Sequence, residues 1–108
     1  MNDPHEAFLT FVANAPQQAQ VWKTADEGLH KASALDKKTE ELAYLAVLAA
    51  LRLEGGVPHH TRQAKKYGAT REELISAILV GLPAAGYYVT LVLHDALSVY
   101  DEAPISEK

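Results

Sequence analysis

The stretch Leu42–Leu53, LAYLAVLAALRL, constrains the fold more than any other part of the chain. It is apolar on every side except at Arg52, and a helix with that pattern has to be buried on most of its surface by other elements. A chain of 108 residues holds roughly one domain's worth of core. Residues 1–108 therefore read as a single domain built around this helix. Gly55-Gly56 is expected to stop it, because glycine takes the left-handed backbone on which helices end.

The remaining segments are helical as well. Asp3 before Pro4, with Glu6 three residues on, is a start signal for a first helix through Phe8, Leu9, Phe11 and Val12 that ends near Asn14. Pro16 opens a second, in which Trp22, Ala25, Leu29 and Ala32 form an apolar stripe, with Lys23, Asp26, Glu27 and Lys31 outside it. Asp36 caps the central helix. Pro58 opens a fourth, which Gly68 closes. Thr70-Arg71-Glu72-Glu73 is a capping box that launches a fifth through Leu74, Ile75, Ile78 and Leu79. After Gly81 and Pro83 a sixth is expected to run to about Tyr100, and the polar tail from Asp101 to fray. Strand-period alternation is absent. The prediction is an all-α bundle of about six helices.

Composition excludes several functions. The chain has no cysteine, which removes thiol catalysis, disulfides, thiolate metal sites and iron–sulfur clusters together. A net charge of −4 argues against nucleic-acid binding, which needs a concentrated cationic face. Between Glu73 and Asp95 no residue carries a fixed charge, and Leu74–Leu93 is long enough to span a bilayer. Gly81-Leu82-Pro83 breaks that run, however, and Ser76, Thr90 and His94 are polar, so two buried helices are the better reading. So much uncharged surface in a short chain is expected to meet another subunit. MNDPHEAFLT has neither a basic start nor a long apolar run, so a cytoplasmic location without a signal peptide is expected.

Chemistry then falls to histidine. His5 and His30 read as solvated, and His94 as a core or interface histidine. His59 and His60 follow Pro58, which places them in the first turn of a helix, where amides lack intrahelical partners and the dipole is positive. An anion could rest against the Gly55–His60 backbone there. Helix neighbours are about 100° apart, so only one of the pair can face inward. Alternatively, both lie on the surface beside Arg62 and Lys65. Glu41 shares a face with Tyr44 and Leu45; it is either a favourable contact with the helix dipole or a site carboxylate. Adjacent histidines do not have the four-residue spacing that seats a metal on one helical face. Neither a metal nor a cofactor is expected.

Glu41, eighteen intervening residues, then His60-x3-Ala64-x3-Gly68-Ala69-Thr70-x-Glu72-Glu73 resembles the carboxymuconolactone decarboxylase superfamily, which includes alkylhydroperoxidase D (AhpD). The resemblance covers Leu35–Val92 and implies an AhpD-like helical fold assembled as a homo-oligomer, a trimer or hexamer. In the peroxidase branch a Glu, a Cys-x-x-Cys pair and a His do the work. By position these fall on Glu41, on Leu53 and Gly56, and on His60. Without either thiol, hydroperoxide reduction by that mechanism is chemically impossible here.

The decarboxylase branch needs no thiol and keeps a His at the position of His60. The resemblance thus implies a lyase acting on a small anionic lactone or keto acid. His60 would be its acid/base and Glu41 the orienting partner, with Arg62, His59 and Gly56 at the substrate. The alternative is a non-catalytic oligomeric member that binds a small molecule or a protein. Helix geometry poses a difficulty. Glu41 and Leu53 are twelve residues, about 18 Å, apart along one helix, so a plain hairpin leaves Glu41 several turns from His60.

Overall fold

The computed structural model describes residues 4–102, with side chains from Glu6 onward, and the chain forms two compact units that divide after Leu35. The first unit is a pair of helices, α1 (Pro4–Asn14) and α2 (Pro16–Ala32). Pro16 stands in the first turn of α2, where its missing N–H costs nothing. The apolar stripe of α2 is not buried: Trp22 and Leu29 are 63% and 71% exposed, as is Val21 beside them at 70%. His30 lies 3.5 Å from Asp26 and is solvated as expected. Asp3, the expected cap of α1, and the side chain of His5 lie outside the described residues.

The second unit contains α3 (Lys37–Leu51), a 3₁₀ turn at Glu54–Gly56, α4 (Val57–Lys66), α5 (Arg71–Leu79), the single-turn α6 (Leu82–Ala85), a 3₁₀ turn at Tyr87–Val89, and α7 (Thr90–Glu102). The described residues include no strand, and the fold is all-α. Helix α3 packs on α4 and α5, and α7 covers both of those. Leu45, Leu48 and Ala49 of α3 meet Val57 and Ala64 of α4, Leu74 and Ile78 of α5, and Val89, Val92 and Ala96 near the C-terminal end. None of the described helices is long and apolar enough to cross a membrane.

The local start signals operate as read. Asp36 Oδ1 accepts the Thr39 amide at 2.7 Å. At α5 the Thr70 hydroxyl takes the Glu73 amide at 3.0 Å, while Glu73 returns to the Thr70 amide at 2.9 Å. Glu73 also receives Lys38 at 3.1 Å, which ties the start of α3 to the start of α5. Gly68 has φ +97°, and the Ala69 amide reaches back to the Ala64 carbonyl at 2.9 Å, closing α4.

Four expectations need correction. The central helix is buried on one face only; Val47 and Leu51 are 54% and 62% exposed, because α4, α5 and α7 all pack on the Leu45–Leu48–Ala49 side. It ends before the glycines: Arg52 takes the left-handed conformation at φ +58°, and the Leu53 amide caps the Leu48 carbonyl at 2.9 Å. The expected sixth helix is split, since Gly86 at φ +95° and ψ 177° adopts a backbone open only to glycine. His94 is exposed, which removes the core half of its reading and leaves the interface half.

The C-terminal end is anchored further than its polarity suggests. Asp101 receives Arg71 through two hydrogen bonds of 2.9 and 3.1 Å, and residues beyond Glu102 lie outside the described range. The Tyr100 hydroxyl donates to the Ala69 carbonyl at 2.8 Å, and Lys65 lies 4.6 Å over the Tyr100 ring.

Two outcomes are expected. Thr61 is fully buried, and its hydroxyl is without a hydrogen-bond partner among the described residues. Thr61→Val keeps the shape and removes the orphan, so it should raise stability in urea unfolding by about 1 kcal/mol. Asp36, Glu73 and Asp101 are held below their usual carboxylate values, chiefly by the Thr39 amide, the Thr70 amide and Arg71 respectively. Depressed carboxylates stabilise the fold above their unfolded pKa and cease to do so as they protonate. The melting temperature should therefore fall as the pH drops below about 4.5, the ordinary glutamate value, and Asp101→Asn should flatten that fall.

Candidate functional site

The site arises where α4 turns back along α3. Helix α4 begins at Val57, one residue before Pro58, so His59 and His60 are its third and fourth residues. The 3₁₀ turn at Glu54–Gly56 has already folded back, bringing Gly56 level with Leu48; a Cβ on Gly56 would meet Leu48 Cδ1 at 3.2 Å. From Leu48 back to Glu41 is about 10 Å along α3, and from Gly56 to His60 about 6 Å along α4. The two side chains span what remains. The difficulty that a plain hairpin poses is thereby removed, and the two residues that the resemblance pairs are in contact: His60 Nδ1 lies 2.7 Å from Glu41 Oε1.

That contact is sheltered, with the two side chains 19% and 16% exposed. It also dictates the ring's tautomer. An ionised carboxylate can only accept, so Nδ1 carries the proton and donates it to Glu41. The neutral ring then holds its lone pair at Nε2, and among the described residues no partner hydrogen-bonds that nitrogen. A second contact comes from Tyr44, one turn beyond Glu41 on the same face of α3. Its ring stacks on the imidazole with centroids 4.1 Å apart and planes 21° from parallel. Tyr44 is the neighbour that reading for chemistry overlooked, although its three-residue spacing from Glu41 was visible.

Of the adjacent histidines, one faces inward and one outward, as helix geometry requires. The His59 ring meets His60 edge-on, with centroids 5.0 Å apart. Desolvation by burial is the main cause holding His59 below the usual histidine value. A positive charge on His60, whenever that ring takes up a second proton, and the charge of Arg62 add to that, and Glu41 opposes it. Arg62 is exposed, lies about 200° around α4 from His60, and its charge acts on His59. Gly56 does border the site: a Cβ there would lie 3.8 Å from His60 Cδ2. Leu53 is half-exposed, and with no cysteine in the chain no thiol stands beside the imidazole. Among the described residues no group of three or more potential ligands could hold a metal.

The family model described as the carboxymuconolactone decarboxylase family matches residues 16–95, a span that includes Glu41, Tyr44, Gly56, His59 and His60. No curated protein and no solved structure matches the chain.

The electrostatics of the pair can be read by histidine NMR. His59 should titrate below 6.5, its ordinary value. Arg62→Ala removes a cation and should move the midpoint up, whereas Glu41→Gln removes an anion and should move it further down. Shifts in the opposite directions would contradict the charge arrangement described.

Proposed function

The chain belongs to the carboxymuconolactone decarboxylase family, and from that membership and the Glu41–His60 contact we propose a lyase that decarboxylates a small anionic lactone or keto acid. The observation that carries this reading is the 2.7 Å contact itself. It leaves a sheltered imidazole with one nitrogen committed to a carboxylate and the other available for proton transfer.

In the proposed reaction the carbon–carbon bond to a substrate carboxylate breaks, carbon dioxide leaves, and the electron pair stays on the lactone skeleton, delocalised toward its carbonyl. The His60 ring, protonated at Nε2 by solvent, gives that proton to carbon and returns to its neutral form. Glu41 holds the ring through Nδ1 and compensates its positive charge, as an orienting carboxylate does for other acid/base histidines. Gly56 leaves room at the ring's edge, where any side chain would press on Leu48 and approach Cδ2. Arg62, within electrostatic reach of His59, offers a cationic contact for a substrate carboxylate at the rim. Thiol-dependent peroxide reduction is not open to this chain, because it contains no cysteine.

We further propose that the protein works in the cytoplasm as a homo-oligomer, a trimer or hexamer. Exposed Val21, Trp22, Leu29, Tyr87 and Tyr88 are more large apolar surface than a lone small chain ordinarily leaves in water.

Offered 4-carboxymuconolactone and related lactones, the purified protein should form enol-lactone, followed optically. His60→Ala should lower turnover by about 10²–10⁴-fold, the usual worth of a positioned acid/base. Equal turnover in that variant would remove the role given to His60. Binding of lactones without turnover in the unaltered protein would favour a non-catalytic member. Light scattering should return a multiple of 11.8 kDa; a monomer alone would contradict the assembly.

A further inference from the structure

We infer that Tyr44 is a positioning residue that sets the plane of the His60 imidazole. The reasoning starts from what the Glu41 contact leaves undone. A hydrogen bond at Nδ1 sets the tautomer and ties the ring to Glu41, but the accepting carboxylate sits on a flexible side chain that can follow the imidazole as it swings about its Cβ–Cγ bond. Each such swing tilts the ring plane and re-aims Nε2. Proton transfer to carbon depends on that aim, and displacement by about 1 Å can cost a hundredfold in rate.

Tyr44 removes this freedom. Its ring covers one face of the imidazole at 4.1 Å and 21°, within the range of favourable aromatic stacking. Glu41 and Tyr44 are three residues apart, so one face of α3 presents both contacts as a rigid unit. His60 is thereby held by an atom and by a plane from the same helix.

Two features separate this role from ordinary packing. Tyr44 is 41% exposed and is not among the buried core residues, so the core does not depend on it for filling. Its hydroxyl makes no hydrogen bond among the described residues. The part of Tyr44 that the structure uses is therefore its ring face. Phenylalanine should serve in its place, and a flexible aliphatic side chain should not.

The kinetic consequence rests on the lyase reading above; the positional one does not, and the experiment reads them separately. Full-length protein labelled at histidine is compared as wild type, Tyr44→Phe and Tyr44→Leu, each checked for native helicity. Ring relaxation of His60 should give equally high order parameters for wild type and Tyr44→Phe, and a clearly lower one for Tyr44→Leu. Where lactone turnover is present, Tyr44→Leu should lower kcat about 10–100-fold with KM changed far less, and Tyr44→Phe should restore most of that loss. An equally rigid His60 in Tyr44→Leu, or a phenylalanine variant as impaired as the leucine one, would overturn the assignment. If no lactone is turned over by the wild type, the lyase reading fails, and the relaxation data still decide the role of Tyr44.

Discussion

A single hydrogen bond, His60 Nδ1 to Glu41 Oε1 at 2.7 Å, joins two helices whose contributing residues are nineteen positions apart. Everything chemical about the site depends on it. The carboxylate selects the tautomer, the tautomer leaves Nε2 without a hydrogen-bond partner among the described residues, and the low exposure of both groups keeps water from competing for the contact. Tyr44 adds a plane to what Glu41 holds at a point. In an otherwise apolar bundle, this cluster is where α3 and α4 have more to offer than core packing.

The contact depends in turn on how tightly the chain reverses after α3. Arg52 enters the left-handed region, at a cost of about 1–2 kcal/mol for a residue with a Cβ. That conformation lets the Leu53 amide close onto Leu48 and directs the following turn back along the helix. The guanidinium of Arg52 lies 5.4 Å from the Tyr88 ring centroid, a contact that offsets part of the cost. Gly56 then approaches Leu48 more closely than a side chain would comfortably allow. A wider loop would leave α4 starting further from Glu41, and the imidazole would face the aliphatic part of α3.

Reading the chain without coordinates located both members of the pair, while their meeting rested on the resemblance alone. Pro58 marked a helix start and adjacent residues must diverge around the axis, so one inward member of the His59–His60 pair was legible, and the resemblance singled out His60. Glu41 was legible only through its resemblance to a known pattern; its position at the first turn of α3 had an equally good explanation in the helix dipole. Arg62 shows the limit of proximity in sequence, since two residues along a helix place it on another side of α4 from His60. Tyr44 went unremarked as chemistry, because a tyrosine in an apolar run reads as packing until its neighbour across the interface is known.

What the sequence by itself determined is the helical frame. Pro16, Asp36, Gly68 and the Thr70–Glu73 box act through hydrogen bonds and backbone preferences confined to four or five residues, so their outcome does not depend on the rest of the fold. The absence of cysteine likewise excluded thiol chemistry without any coordinates. Only the tertiary structure decided that Arg52, and not Gly55 or Gly56, ends α3, that Gly86 splits the last helix, and that Glu41, Tyr44 and His60 share one site. The physical reason is register. How far α4 slides along α3 depends on the conformation of the five residues between them and on the packing of Leu48 against Gly56, and no periodicity within either helix encodes that offset.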